Sequence, residues 1–406
     1  MSLSRYSFPT LVHSGPNASH GISQWLQSQG STTPLVVTDR GLAGLQLIPD
    51  FMSMLSNGGV NPALFSDLGG NPVKSQVSAG VEAYKAANAD AIIGIGGGAA
   101  MDVAKAIALM VNHPGDLFDY EDGKPDALPV DQPIPPMVMV ATTAGTGSEV
   151  GRSSVISDDE THVKKIIFDP KMLPNLAVLD PMLTLSLPPG VTATTGLDAL
   201  CHLVEAFVAK GDHPMSDGIA LEGIRMVAEN IRDAFDFARL QYGSDEEKAA
   251  SASRLGDNNT EARHIEAREK MLNASMMGAV AFQKGLGVTH SLAHSLSTVC
   301  DLHHGLANGI LMPHAMRFNA KAVPERFVRM AQAAGLESTT PESFIDWLVE
   351  LQDELSVPRH LNKAGVTSEH IKDLVHYALL DGCHQSNPCP VSEDDFRALF
   401  QDSIGA

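Results

Sequence analysis

The residues best suited to chemistry are histidines crowded into one short stretch of the second half of the chain. Four of the 16 histidines fall between positions 290 and 304, and an Asp-x-x-x-His pair lies about 90 residues earlier. A spacing of four places both members of a pair on one helix face. Imidazole and carboxylate without thiolate suit Fe(II), Zn(II), Co(II) or Mn(II). Spacing alone leaves open which four of six candidates bind a metal: Asp198, His202, His290, His294, His303 and His304.

Two turns in the first half of the chain could bind phosphate groups. The first contains Gly96-Gly97-Gly98, where the backbone can approach a pyrophosphate at the start of a helix. The second, Thr142-Thr143-Ala144-Gly145-Thr146, offers hydroxyl and amide donors, although a capped helix start would also explain it. Both follow predicted strands. Because ligands collect at the carboxyl ends of parallel strands, the pair favours a dinucleotide site.

Asp39 ends the first predicted strand and bears on the choice of dinucleotide. A carboxylate there would accept hydrogen bonds from the ribose hydroxyls and would repel a 2′-phosphate, so it favours NAD over NADP. The alternative is that Asp39 only begins the turn Asp39-Arg40-Gly41.

The elements that must position these residues change character near position 188. Short apolar runs at 34–39, 89–96, 136–143 and 175–180 alternate with helical patterns, which predicts a parallel sheet covered by helices. After that point the pattern is helical throughout. We therefore expect a Rossmann-like α/β dinucleotide-binding domain, residues 1–187, and an all-α metal-binding domain, residues 188–406.

The composition of the chain limits the kinds of partner and the cellular compartment that we expect for the protein. The 406 residues carry a net charge of −20, which argues against binding nucleic acid or anionic membranes. No run approaches 18 apolar residues, so we expect no transmembrane helix, and the first residues lack a signal-peptide core. The four cysteines are too few and too scattered for a disulfide framework. These features predict a cytoplasmic location.

Taken together, the motifs resemble those of the iron-containing (group III) alcohol dehydrogenase family over about residues 5–395. The resemblance rests on seven ordered motifs: Gly96–Lys105, Thr142–Glu149, Asp180–Pro188, Gly196–Ala206, Gly287–Leu296, His304–His314 and Ser386-Asn387-Pro388. It implies an active site in the cleft between the two domains, with NAD and Fe(II) as cofactors and Zn(II) as the alternative metal. It also implies a small primary alcohol or the matching aldehyde as substrate, and we expect a homodimer or higher homo-oligomer.

The resemblance also assigns residues. By motif position the metal ligands are Asp198, His202, His290 and His304, and His303 falls outside the set. His294 then lies beside the nicotinamide, where it could relay a proton to solvent. The implied cofactor-binding residues are Asp39, Asn71, Gly97, Gly98, Asp102, Thr142, Thr143 and Lys164.

Three departures from the family pattern concern the ligands. Ala99 replaces a serine beside the phosphate-binding glycines, and glycines replace a Pro-rich stretch before Asn71. Arg152 lies in a segment that faces the substrate in the family. It could bind the carboxylate of a hydroxy acid or semialdehyde acid, or it could be structural and pair with an acidic residue.

One other reaction class shares the two-domain plan. Dehydroquinate-synthase-like lyases also use NAD and one metal, without net redox change. They would need several Lys and Arg residues to hold a phosphorylated acid, and the motifs of the second half have few.

Overall fold

The computed structural model describes residues 6–8, 10–69, 71–161 and 163–405, and the chain forms two compact units. The α/β unit consists of Phe8–Thr143 and Gly147–Thr184. The helical unit begins at Leu185 and also includes Ala144–Thr146, the middle of the threonine-rich turn.

A six-stranded parallel sheet forms the centre of the α/β unit. The strands of this unit are β1 Leu11–Ser14, β2 Pro34–Val37, β3 Ala63–Phe65, β4 Ala91–Gly96, β5 Met137–Ala141, β6 Ser153–Ser157, β7 Lys164–Phe168 and β8 Leu176–Leu179. The order in the parallel sheet is β1-β8-β5-β4-β2-β3, and β6 and β7 form a separate antiparallel hairpin.

Helices cover this sheet because its central strands are apolar on both faces. Every residue of β2, β4, β5 and β8 is buried. The apolar faces of the first and third helices pack against them through Ile22, Leu26, Phe51 and Leu55. The helices of this unit are α1 Ile22–Ser28, α2 Arg40–Ala43, α3 Leu47–Asn57, α4 Lys74–Ala86 and α5 Gly98–Met110.

The structure confirms the predicted fold class and adds elements that the sequence did not reveal. The four predicted apolar runs became β2, β4, β5 and β8, each one to two residues shorter at one or both ends. The edge strand β1, the short β3 and the hairpin β6–β7 were not predicted. These strands contain exposed or half-buried residues, so they lack the continuous apolar runs that marked the other four.

The helical unit contains the candidate metal ligands. Its helices are α6 Pro189–Val208, α7 Pro214–Tyr242, α8 Asp245–Leu255, α9 Glu261–Ala281, α10 Val288–Cys300, α11 His304–Ala320, α12 Pro324–Ala333, α13 Pro341–Glu354, α14 Ile371–Leu380 and α15 Glu393–Ile404.

Helix α6 is the central helix of this unit. Among the described residues it alone is long and apolar enough, by length and composition, to cross a membrane. However, 83% of its most apolar stretch is buried inside the protein, as in the core helix of a folded domain. The buried residues include Asp198, His202 and Glu205, three ionisable side chains on a largely apolar helix.

Candidate metal centre and nucleotide-binding turns

Four side chains of the helical unit converge as a potential metal site. Asp198 and His202 come from α6, His290 from α10 and His304 from α11. Each offers one ligand atom, and these atoms all lie within 4.8 Å of one another. The side chains of Asp198 and His290 are 3% and 1% exposed, whereas that of His304 is 26% exposed. The cluster is therefore buried on most sides and reaches the surface at His304.

Local packing explains why these side chains meet. Asp198 and His202 are one helical turn apart, so they share a face of α6. Helix α9 packs closely behind them at Gly278, where a Cβ atom would lie 3.1 Å from the Cβ of His202. On another side, the Phe282 ring lies 5.2 Å from the His202 ring, so an aromatic wall adjoins the cluster.

The chemistry of the donors fits a divalent metal. Burial lowers the pKa of His202 to about 4, so its imidazole is neutral at working pH. Its Nδ1 atom is buried and has no hydrogen-bond partner among the described residues. Three imidazoles and one carboxylate also form a donor set that Fe(II) and Zn(II) accept.

Glu205 is a site residue that the sequence reasoning did not single out. This carboxylate is fully buried, and its Oε2 lies 2.7 Å from His290 Nδ1. It also accepts hydrogen bonds from the backbone N–H groups of Gly287 and Thr289. Burial opposes ionisation, but the hydrogen bond from His290 holds the pKa of Glu205 below its ordinary value. The Nε2 atom of His290 is thus left for the cluster.

Asn308 contacts three of the four candidate ligands and was also missed. Its Nδ2 donates to Asp198 Oδ1 at 2.7 Å and lies 3.1 Å from His304 Nε2 and 3.4 Å from His290 Nε2. The side chain is fully buried, and within the part of the chain that the structure describes its Oδ1 has no hydrogen-bond partner. One amide group therefore lies against the same three atoms that would hold a metal.

The two remaining histidine candidates have different surroundings. His303 is exposed, and its Nδ1 accepts a hydrogen bond from Leu306 N, so it caps α11. His294 lies beside the cluster, with its ring stacked 5.2 Å from that of His304. Its Nδ1 lies 2.8 Å from Asp381 Oδ2, a third contact that the sequence did not reveal.

Asp381 is itself firmly held. Its Oδ1 accepts hydrogen bonds from Ser291 Oγ and from the backbone of Cys383. Burial alone would raise the pKa of Asp381, but the hydrogen bond from His294 holds it well below its usual range. His294, Asp381 and Cys383 also offer ligand atoms within 4.8 Å of one another.

In the α/β unit, the structure brings the two predicted turns together. Thr142 N donates to Gly96 O at 3.0 Å, and a Cβ atom at Gly97 would lie 3.4 Å from Thr143 Oγ1. Gly98 begins α5, and the first N–H groups of a helix have no partner within the helix itself. Asp39 follows the adjacent strand β2, and its Oδ1 caps α2 by accepting from Leu42 N at 2.9 Å. Asp39 therefore does begin a turn, as the alternative reading held, while its second oxygen remains near Gly96.

The other predicted cofactor residues lie elsewhere in this unit. Asn71 is exposed and precedes a β-bridge between Val73 and Ser157, and Lys164 begins β7. Asp102 is already engaged within the protein, because Ser148 Oγ and Lys105 Nζ contact its Oδ1 and Val155 N donates to its Oδ2. Its contacts join α5 to the segment 148–155.

Arg152 lies with its guanidinium carbon 5.3 Å from the centre of the Phe168 ring. In the described part of the chain no ion pair links it to a carboxylate, so stacking on Phe168 replaces the acidic partner that the sequence suggested. Nearby, Glu149 is buried at 2% exposure, and burial raises its pKa to about 7.

Comparison with known proteins identifies the class. The sequence-family model of the iron-containing alcohol dehydrogenases matches residues 9–181. The sequence-family model of the C-terminal domain of the same family matches residues 192–256 and 249–404. The chain therefore belongs to the iron-containing alcohol dehydrogenase family. It is an NAD-dependent oxidoreductase that acts on alcohols and uses a metal ion.

Individual relatives match along nearly the full chain. The 1,3-propanediol dehydrogenase of Klebsiella pneumoniae is 33% identical, covering 98% of this chain and 98% of the relative. The NAD-dependent methanol dehydrogenase of Bacillus methanolicus is 32% identical, and the match covers 99% of this chain and 100% of that relative. The crystal structure of a 1,3-propanediol oxidoreductase has 33% identity and a TM-score of 0.88, covering 99% of this chain and 100% of that chain. These matches do not favour the lyase alternative.

Proposed function

We propose that Asp198, His202, His290 and His304 hold the metal of an alcohol dehydrogenase, Fe(II) or alternatively Zn(II). The observation that carries this assignment is the convergence of their four ligand atoms within 4.8 Å. A divalent metal at such a site supplies Lewis acidity, which lowers the pKa of an alcohol hydroxyl. The protein contributes a carboxylate and three imidazoles from three helices, packed so that most of the cluster excludes water.

We propose that residues 1–187 form the NAD-binding domain and residues 188–406 the metal-binding domain. The glycine turn and the threonine turn supply backbone N–H groups and hydroxyls for the pyrophosphate, at Gly97, Gly98, Thr142 and Thr143. Asp39 would accept from the adenosine ribose through the oxygen that does not cap α2. Asn71 and Lys164 complete the proposed set, and Asp102 shapes the turn through its contacts with Ser148 and Lys105.

His294 is proposed to move the proton of the alcohol. Its Nδ1–H points to the Asp381 carboxylate at 2.8 Å, which leaves the Nε2 lone pair to accept a proton. The side chain is 32% exposed, so that proton can pass on to water. Hydride transfer itself belongs to the nicotinamide.

The substrate is proposed to be a small primary alcohol or its aldehyde. Support comes from the relatives, which are dehydrogenases named for 1,3-propanediol and methanol. The stacking of Arg152 on Phe168 favours an uncharged substrate over a hydroxy acid. We further propose a cytoplasmic homodimer or higher homo-oligomer. The four free cysteines support the compartment, and exposed apolar side chains such as Leu11 and Ile166 support association.

Metal analysis and a substrate panel test this proposal together. Protein purified without oxygen should contain one equivalent of a divalent metal per chain. It should form NADH from 1,3-propanediol, methanol, ethanol or 1-butanol, and chelation should abolish this activity. Full activity after complete removal of the metal would overturn the proposed function. So would a protein that forms no NADH with any of these alcohols and consumes no NADH with any of the matching aldehydes.

A further inference from the structure

A second carboxylate lies directly behind the candidate metal ligands. Glu205 is three residues after His202 on α6, and its side chain is 0% exposed. Its two oxygens contact three donors at the start of α10: His290 Nδ1 at 2.7 Å, Thr289 N at 2.7 Å and Gly287 N at 2.9 Å. The carboxylate therefore binds both the backbone and the side chain of the segment that presents His290.

The close approach of α10 depends on a glycine. A Cβ atom at Gly287 would lie 2.9 Å from Glu205 Oε1, a distance that real Cβ atoms do not adopt. Without a side chain at this position, the carboxylate reaches the backbone N–H groups and the imidazole at once. His290 is thereby held in one orientation.

This contact decides which nitrogen of His290 faces the cluster. An ionised carboxylate only accepts hydrogen bonds, so the proton between Glu205 and His290 belongs to Nδ1. The lone pair of a neutral imidazole then lies on Nε2, where Asn308 and the other candidate ligands converge. Carboxylate partners of this kind fix the tautomer and ring orientation of metal-binding histidines and raise their basicity.

Charge gives Glu205 a second role. Asp198 brings one carboxylate to the cluster, and an imidazole that binds a metal is neutral and brings no charge. In the part of the chain that the structure describes, Glu205 forms no ion pair with lysine or arginine, and the ionisable side chain that hydrogen-bonds to it is His290. A buried charge without compensation is costly. Two buried carboxylates together match the charge of one divalent cation.

We propose that Glu205 is a positioning residue of the metal centre. It aims His290 Nε2 at the metal and supplies the second negative charge that balances a divalent ion. This role rests on the proposed function, because it requires a metal at the Asp198 cluster.

The competing arrangement makes Glu205 a direct ligand. Cys201, Glu205 and His290 also offer atoms within 4.8 Å of one another. That site would need His290 Nδ1, which already contacts Glu205, with Cys201 Sγ 3.9 Å away. Burial raises the pKa of the Cys201 thiol well above its usual value, so the thiolate that metals prefer is disfavoured.

Two variants separate the two contributions. Glu205→Gln keeps the length of the side chain and removes the charge. Glu205→Asp keeps the charge but is one methylene too short to keep the contacts of 2.7–2.9 Å to all three donors. We expect each variant to bind Co(II) or Zn(II) about 10- to 100-fold more weakly than the wild type, measured by competition with a chelator.

A matched control tests whether any lost buried carboxylate has this effect. Asp217 is also buried in the helical unit, where it pairs with Lys284 and Arg326 and contacts none of the four candidate ligands. Asp217→Asn should lower the melting temperature and leave the metal affinity within about threefold of wild type. Folded Glu205→Gln protein with wild-type affinity would overturn the proposed role.

The wild-type protein offers a test that does not depend on whether the variants fold. In a crystal structure of the Co(II)-loaded protein, anomalous scattering should place the metal on the Nε2 side of His290, with Glu205 still hydrogen-bonded to Nδ1. A metal bonded to Glu205 or Cys201 would overturn the positioning role and leave metal dependence intact. A wild type that binds no divalent metal at Asp198 would overturn the proposed function itself.

Discussion

His303 and His304 are neighbours in the sequence, yet their imidazoles serve different purposes. His303 Nδ1 accepts a hydrogen bond from Leu306 N and caps α11, whereas His304 Nε2 lies 3.5 Å from Asp198 Oδ1. The chain therefore turns into a helix between a capping residue and a candidate metal ligand.

This pair provides a matched test of the ligand set. His304→Ala should lose most of the bound metal and the activity. His303→Ala should keep the metal and lose only about 1 kcal/mol of stability, because it removes a helix cap. Metal content by atomic emission and thermal unfolding would measure the two effects. Retention of metal by His304→Ala, with loss in His303→Ala, would show that the wrong neighbour was assigned.

Asp39→Asn should raise the use of NADP relative to NAD. An asparagine can still accept from Leu42 N and cap α2, so the substitution removes the charge and keeps the local structure. We expect the ratio of kcat/KM values for NADP and NAD to rise about tenfold or more, equivalent to about 1.4 kcal/mol. Asp39→Glu, which keeps the charge, serves as the control. Equal use of both cofactors by the wild type would refute the argument.

His294→Ala should retain metal and lose turnover. Its imidazole touches the cluster through ring stacking, while its Nδ1 is directed to Asp381. Loss of a positioned proton acceptor typically costs 10²- to 10⁴-fold in rate, so kcat should fall by at least about 100-fold. Asp381→Asn should show a smaller loss of kcat with unchanged metal content. If His294→Ala lost metal as completely as His290→Ala, a ligand role would replace the proton-transfer role.

Glu149 should make the protein less stable as the pH rises. Its pKa is about 7 in the folded state, compared with 4.5 for the ordinary carboxyl group. Between these values the folded protein holds a proton that the unfolded chain releases, so the free energy of unfolding falls with rising pH, by about 3 kcal/mol in all. Urea unfolding at pH 4.5 and pH 8 would measure this difference.

Glu149→Gln should remove that part of the pH dependence, because the amide does not titrate. Glu246→Gln, at an exposed position, should leave the dependence as in the wild type. A Glu149→Gln protein with the same slope as the wild type would show that Glu149 does not carry the effect.

Arg152→Ala should leave the preference between 4-hydroxybutyrate and 1-butanol within about threefold. The reason is that the guanidinium stacks on Phe168, which gives it a structural role. A bidentate contact with a substrate carboxylate would instead make the ratio of kcat/KM values fall by about 10- to 100-fold. Arg397→Ala, at a half-buried position of α15 where the guanidinium pairs with Glu393, controls for the loss of a positive charge.

How far the sequence predicts the fold depends on how each strand is buried. The strands β2, β4, β5 and β8 were predictable because burial on both faces requires continuous apolar runs. Strand β1 has only β8 as a neighbour in the sheet, and the hairpin β6–β7 exposes Ile166 and Phe168. Such strands need fewer apolar residues, so the same rule did not find them.

The candidate metal site, like the fold, was only partly predictable from the sequence. Helical spacing brought out the six candidates. The contacts of Glu205 with Gly287, of Asp381 with His294 and of Asn308 with Asp198, however, join residues 82 to 110 positions apart. No local pattern encodes such distances. For Glu205 the sequence did contain a usable signal, because this charged residue lies in the apolar run that follows His202. If that run is buried, the Glu205 carboxylate needs a hydrogen-bond or charge partner.

Helix α6 also sets a limit on changes of chain length. Asp198, His202 and Glu205 are spaced by four and three residues, so they form one stripe along the helix. One inserted residue turns everything beyond it by about 100° around the helix axis. An insertion between Asp198 and His202 would thus direct the carboxylate away from both the imidazole and Glu205. An insertion at positions 256–260, between α8 and α9, would lengthen only an exposed connection. We therefore expect single-residue insertions or deletions between these residues of α6 to abolish metal binding, even at positions where many single substitutions would leave metal binding intact.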